Sequence, residues 1–327
     1  MLIKTINAIL TVLYGVGGAL VLYWVLNKLV ERLPGRWEDR VKPYFFIGPA
    51  FLAIALYVIY PAIQTIVYSF ANSDSTKFIG LRNYTELLGS SDFRQTLFNT
   101  LLWIIFVPAM TIGLGLGVAV LADRLKPGPE KLAKTVIFLP MAISAVGAGT
   151  VWRFVYATNP PGENQLGLQN AIVTKLGFAP VNWLQLTTLH FNSFELMVML
   201  LWAQVGFAMV LLSAAVKGVP TETVEAARID GASEFQIFGR VIVPQIRPTI
   251  ITVFVTVTIG VLKLFDIVYV MTNGDFNTSI VGVDFFNELF TNSNNGHAAA
   301  IVVLLMIAII PLMVYQVRQF KSEAEVR

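Results

Sequence analysis

Apolar runs of about 20 residues recur along the chain, each long enough to cross a ~30 Å hydrocarbon core as a helix, and they constrain the fold more than any motif. Seven of them read as spans, over 6–28, 45–70, 97–122, 134–157, 195–217, 249–271 and 298–318. In lipid every backbone N–H and C=O must be satisfied internally, so only helices or closed barrels cross. The alternating pattern of a membrane barrel is missing. An all-α transmembrane chain is therefore expected. Composition leads the same way: 56% of the 327 residues are hydrophobic and 13% are charged, against about a quarter charged in soluble domains. The first run follows Lys4 but outlasts a signal-peptide core, and no small-x-small cleavage site follows it. It reads as an uncleaved helix.

Several function classes are excluded early. The chain has no cysteine, which removes disulfides, thiol nucleophiles and thiolate metal sites together. His190 and His297 are far apart in sequence, and no His, Cys or paired-carboxylate constellation converges, so neither a catalytic residue nor a metal site is expected. A net charge of +3 and a pI near 9.0 reflect basic loops rather than nucleic-acid binding.

Those basic loops orient the chain. Placing 28–44, 123–134, 217–248 and 318–327 inside gathers most of the 23 basic residues there. Lys4, Lys77, Arg82, Arg94 and Lys175 fall outside, which predicts an external N-terminus and a cytoplasmic C-terminus. The long outer loops 71–96 and 158–194 carry aromatics and amphipathic stretches, such as Leu166 to Leu176, and are expected to hold short surface helices. Asn159-Pro160-Pro161-Gly162 marks a turn, and Lys126-Pro127-Gly128-Pro129 a tight connection between the third and fourth spans. No internal repeat is evident, which weakens an inverted-repeat secondary transporter.

Between the fifth and sixth spans, Val219 to Ser233 carries a helix start, core and stop. Thr221 can cap the helix after Pro220, Glu222 and Glu225 complement its positive end, and Gly231 supplies a joint. A second short helix is expected from Ser233 through Phe235, Gln236, Ile237, Phe238 and Arg240, until Pro244 and Pro248 intervene. Ala226 and Ala227 leave a low surface against which another protein can pack. The competing reading is an amphipathic helix lying on the lipid interface, which the scarcity of Lys and Arg disfavours.

The spacing Glu225-Ala226-Ala227, three residues, Gly231, nine residues, Val241, one residue, Val243-Pro244 resembles the EAA loop of permease subunits in binding-protein-dependent ABC importers. The family usually has Ile and Leu where this chain has Val241 and Val243, which keeps the apolar character. The resemblance covers residues 45–320. Trp202 and Gly206, Ile229 to Ser233 with Phe235-Gln236, Lys263 to Asp266 and Tyr269 to Thr272 are similar to the sugar branch, maltose or α-glucoside type, MalF-like. Gly274-Asp275-Phe276 departs from the Gly-Gly-Pro common there.

The resemblance implies a type I ABC importer fold, a six-helix permease core preceded by one N-terminal helix. Residues 1–44 would form that helix and a cytoplasmic linker, 45–320 the transmembrane domain with its coupling loop at 219–248, and 321–327 a tail. It implies a di- or oligosaccharide as substrate and residence in a bacterial or archaeal inner membrane. Partners would be a second homologous permease, two copies of an ATPase and an extracytoplasmic solute-binding protein. The ATPase would receive Thr221–Arg240 in a groove, with Glu225, Ala226, Ala227, Asp230, Gly231, Phe235 and Pro244 forming the contact. No G-x-x-x-x-G-K-[ST] phosphate loop is present, so no cofactor is expected in this chain, and ATP and Mg2+ would be bound by the partner.

For the path, polar residues within spans are informative, since such groups in lipid face a cavity or a neighbour. Leu200, Ala203, Gln204 and Phe207 share one face, as do Val257, Gly260, Val261 and Leu264, and both faces align with sugar-contacting positions of the maltose type. Gln204 offers a donor and an acceptor, Phe207 a stacking face and Gly260 space; simple helix packing is the alternative. Lys263 is expected either to pair with Asp266 one turn on or to touch a subunit or substrate. Arg153 can snorkel to the interface. Gly113, Gly115, Gly117, Gly147 and Gly149 permit close helix contact, and Trp24 and Trp103 read as lipid-facing residues or interfacial anchors. Two further readings stay open: an importer permease for glycerol phosphate or another polyol, and an ion-coupled secondary transporter, for which only Asp266 offers an intramembrane carboxylate.

Overall fold

The computed structural model describes residues 2–325, and their regular structure is helical, with one isolated bridge between Ala71 and Phe78. Two compact units divide the chain, Met1–Val67 and Tyr68–Arg327. Among the described residues, five helices are long and apolar enough to cross a membrane, and two further helix pairs qualify but are sharply bent. The count is seven when each bent pair is one crossing.

The first unit holds α1 (Leu2–Val30), α2 (Gly35–Ile54) and most of α3 (Tyr60–Tyr68). Tyr23 of α1 stacks on Phe46 of α2 with ring centroids 5.8 Å apart. Trp24 is exposed, with the Lys28 ammonium over its ring. Pro61 has no N–H to give its preceding turn, and the π-helical turn Ala55–Ile59 precedes it, so the helix axis continues instead of stopping.

The second unit contains α4 (Arg82–Gly89), α5 (Ser91–Asp123), α6 (Pro127–Phe138), α7 (Ala145–Val155), α8 (Leu168–Lys175), α9 (Phe191–Lys217), α10 (Thr221–Ile229), α11 (Glu234–Ile237), α12 (Val243–Gln245), α13 (Arg247–Leu262), α14 (Asp266–Thr272), α15 (Val281–Phe286) and α16 (Asn295–Glu325). Its core lies along α5 and α9, through Trp103, Val107, Leu196, Met197, Met209 and Leu212, with Val253 and Val257 of α13 packed against it. Trp103 is thus a core residue and not an interfacial anchor, because helix packing rather than lipid claims its face. Small residues allow the approach. A Cβ on Gly115 would stand 2.7 Å from the Cβ of Ala208, and one on Gly206 would stand 2.7 Å from the Cα of Phe138. Gly149 meets Val270 in the same way, whereas Gly113 and Gly117 face open space and Gly147 meets its own cap, Ser144. Close contact therefore belongs to two of the five glycines singled out above.

Two expected spans are not straight. The fourth is α6 and a 3-10 turn, Leu139–Ala142, followed by α7 after a bend of 103°. Pro140 cannot donate, and the Ser144 side chain accepts from the N–H of Gly147 to start a new helix. The sixth ends at Leu262, leaves helix over 263–265 and resumes as α14. Here the carbonyl of Leu264 lies against Gly282, where any Cβ would collide with it.

Buried amides fix the loops on the side opposite the coupling loop. Asn83 donates to the carbonyls of Ser69 and Ala71 at 2.8 and 2.7 Å. Asn99, inside α5, donates to those of Asn277 and Ser279 at 2.7 and 2.9 Å. Both expected surface helices are present, as α4 and α8.

Candidate coupling loop and transport path

α9 ends at Lys217, and Pro220 turns the chain out (φ −57°, ψ 128°) before α10 begins. Thr221 was the expected cap, but it is the first helical residue. Pro220 holds the cap position and makes no side-chain bond to the helix. Glu222 in the first turn and Arg228 in the last complement the helix dipole.

Gly231 closes the helix as the sequence implies. At φ +81° it lets Ala232 N–H reach the carbonyl of Ala227 and its own N–H reach that of Arg228, each at 3.0 Å. This pair of bonds is a Schellman closure. The next helix starts two residues later with a reciprocal cap: Ser233 Oγ accepts from the N–H of Gln236, and Gln236 Oε1 accepts from the N–H of Ser233 at 2.8 Å. Arg228 grips Glu234 through two bonds, 2.8 and 3.2 Å, across the joint. The second helix continues through a π-helical turn, Phe238–Ile242, and ends at Gln245, between Pro244 and Pro248 where the sequence places its stop. The chain bends by 69° only at Ile246, before α13.

The surface of this helix–glycine–helix unit is open. No residue of α10 is buried. Ile229 is 86% exposed and Phe235 91% exposed. Glu225, Ala226, Asp230, Gly231 and Pro244 are also exposed, Ala227 is half-buried, and Ile237 anchors the unit inward.

The path residues separate. Gln204 and Phe207 are half-buried on α9 above the buried Leu200. On α13, Val257 and Val261 are buried in the core while Gly260 is exposed with open space beside it, so these positions do not share one environment. Lys263 and Asp266 are both exposed. The expected ion pair between them does not form: Lys263 caps the end of α13 and Asp266 opens α14, so no continuous turn brings them together. Arg153 donates to the carbonyl of Val270 at 3.4 Å, tying α7 to α14.

Two charged groups escaped the sequence reading. Glu195, in the second turn of α9, is buried and accepts from Gln169 of α8 at 2.8 Å. Asp123, Glu130, Lys134 and Lys217, which the sequence presents as loop charges, meet beneath the coupling loop.

These features describe a helical chain with five to seven candidate membrane crossings and an exposed helix pair between two of them. Over residues 95–321 the chain matches the family described as the inner membrane component of binding-protein-dependent transport systems, and it belongs to that family. It is 41% identical over 335 residues to the alpha-glucoside transport system permease protein AglF of Rhizobium meliloti (strain 1021), covering 98% of each chain. It is 44% identical over 282 residues to the osmoprotective compounds uptake permease protein GgtC of Synechocystis sp. (strain ATCC 27184 / PCC 6803 / Kazusa), covering 86% of this chain and 100% of that one. Among solved structures, a bacterial ABC transporter involved in alginate import superposes with a TM-score of 0.72 at 19% identity, covering 88% of this chain and 99% of the other. That likeness carries the importer-permease fold. Family membership sets aside the ion-coupled secondary transporter.

Proposed function

We propose that the chain is the permease subunit of an ABC sugar importer, forming the path for a di- or oligosaccharide of the α-glucoside kind. A separate ATPase, which binds the ATP and Mg2+, drives it through Thr221–Arg240. The observation that carries this reading is the exposed helix–Gly231–helix unit, with Phe235 and Ile229 bare, in a chain 41% identical to an α-glucoside permease. Glu225, Ala226, Ala227, Asp230, Gly231, Phe235 and Pro244 form the ATPase contact. Gln204 and Phe207 face the sugar, with Gly260 and Lys263 along the same route. The coupling loop and C-terminus are cytoplasmic, and the N-terminus is outside. A second homologous permease, two ATPase copies and an extracytoplasmic binding protein complete the machine. The likeness to GgtC supports a second reading, in which the substrate is an osmoprotective compound.

The full complex in proteoliposomes tests both. ATP-driven uptake is measured for α-glucosides, an unrelated sugar, glycerol phosphate and osmoprotectants. Preference for α-glucosides is expected, with no ATP hydrolysis by this chain alone; preference for glycerol phosphate, or for osmoprotectants over every glucoside, overturns the sugar assignment. Gln204→Leu is expected to change the ranking of sugars at unchanged complex yield. A loss of yield with the ranking intact returns Gln204 to helix packing.

A further inference from the structure

The root of the coupling loop is an ionic lattice. α5 ends on Asp123, α6 carries Glu130 and Lys134 one turn apart, and α9 ends on Lys217, with only Gly218–Pro220 before α10. Lys134 Nζ donates to Asp123 Oδ1, to Glu130 Oε1 at 2.7 Å and to Ser213 Oγ at 2.5 Å. The Ser213 hydroxyl donates onward to Asp123 Oδ1 at 2.9 Å. Lys217 Nζ bonds Glu130 Oε1 and stands 3.6 Å from Asp123 Oδ1.

Two acids and two bases from three helices therefore neutralise one another, and all three protons of the Lys134 ammonium are used. The side chains of Lys134, Asp123 and Glu130 are 19%, 15% and 17% exposed. This separates them from surface pairs, which water screens to little effect. Lys217 differs: it is 51% exposed and lies within reach of both carboxylates. The second oxygen of Asp123, Oδ2, is buried without a hydrogen-bond partner. A buried acceptor left open is costly, and an arrangement that fills it is correspondingly favoured. The lattice thus has a spare acceptor on Asp123, with the Lys217 ammonium 3.6 Å from the other oxygen of the same carboxylate.

We propose that this lattice is the joint through which motion of the coupling loop enters the membrane-spanning helices. Lys134 holds α5, α6 and α9 as one body, and Lys217 moves from Glu130 toward the free oxygen of Asp123 when the loop is displaced. These are positioning residues, and the inference rests on the reading that Thr221–Arg240 receives the ATPase.

The experiment uses the full complex in proteoliposomes and measures substrate moved per ATP hydrolysed. Because Lys217 is half exposed, Lys217→Gln leaves the helix packing in place. It is expected to lower uptake per ATP about tenfold while complex yield, thermal stability and ATP turnover stay within about twofold. Lys217→Arg is expected to retain coupling, and the exchange Glu130→Lys with Lys217→Glu to recover part of what Glu130→Lys alone loses. Uptake, hydrolysis and yield falling in parallel would reduce the lattice to a static brace, and uptake per ATP unchanged in Lys217→Gln would remove it from the mechanism. A wild-type complex without ATP-driven uptake of any compound would instead defeat the proposed function; that measurement comes first, in the same vesicles.

Discussion

Substitution of Gly231 separates a backbone requirement from a contact requirement at the coupling loop. The residue sits at φ +81°, and no heavy atom beyond its adjoining residues lies within 4 Å of where a Cβ would stand. Within the subunit, a side chain there costs only what the left-handed backbone costs. For an ordinary L residue this is roughly 1–2 kcal/mol, whereas Asn visits the region routinely. A penalty of that size lowers the population of the closed joint by roughly 5- to 30-fold. The Ala232 to Ala227 and Gly231 to Arg228 bonds open with it, and the second helix loses its fixed angle to the first. The expected order of ATP-driven uptake is Gly231, then Asn, then Ala, with Val lowest because branching at Cβ worsens the left-handed conformation. A contact requirement predicts another order, since Asn is larger than Ala and would fit worse against a partner. Uptake by the reconstituted complex, corrected for yield, decides. Gly231→Ala transporting better than Gly231→Asn would refute the backbone argument.

Two further predictions rest on packing and burial. Gly115→Ala and Gly117→Ala, two residues apart on α5, are expected to have opposite signs. The first drives a methyl into Ala208 and the Met209 backbone, an overpacking of about 1–3 kcal/mol. The second meets open space and gains helix propensity of up to about 1 kcal/mol. Melting of the purified subunit in detergent measures both, and equal shifts would contradict the contact. Asp284, on α15 between the last two crossings, is pushed above the ordinary carboxylate range by burial, against the opposing bonds from Ser279 and Thr96. With the folded state holding the proton more tightly than the unfolded one, its stabilising contribution is present at acid pH and is lost as pH rises through the raised value. The melting temperature of the wild type minus that of Asp284→Asn is therefore expected to fall from pH 4 toward neutral. A flat or rising difference would contradict it.

The crossings were legible because apolar length is written along the chain, and the Gly231 joint because a helix that must stop and turn favours the residue tolerant of positive φ. The bends were partly legible. Pro140 is a helix breaker and Ser144, four residues on, a cap, but a hydropathy window averages over both. The break at Lys263 to Phe265 was hidden, since nothing local forces it; the carbonyl of Leu264 instead lies on Gly282, a tertiary contact. Trp103 was misread for a similar reason, as its type suits an interface and only the packing of α5 on α9 places it inside. The ionic lattice needed the relative register of three helices, with Lys134 and Ser213 79 positions apart.

The distribution of breaks bears on how such a subunit transmits force. α5 and α9 are continuous over 33 and 27 residues, and their close approach at Gly115 leaves no slack for sliding. The neighbouring crossings are interrupted, between α6 and α7, at Ile246 and between α13 and α14, where torsions can change without breaking a helix from within. The coupling loop joins the stiff pair at Lys217 through three residues and the jointed crossing at Ile246 through one. In the coupling role proposed above, a displacement of the loop would reach α9 as translation and α13 as a change of angle, so that one push would move two crossings differently.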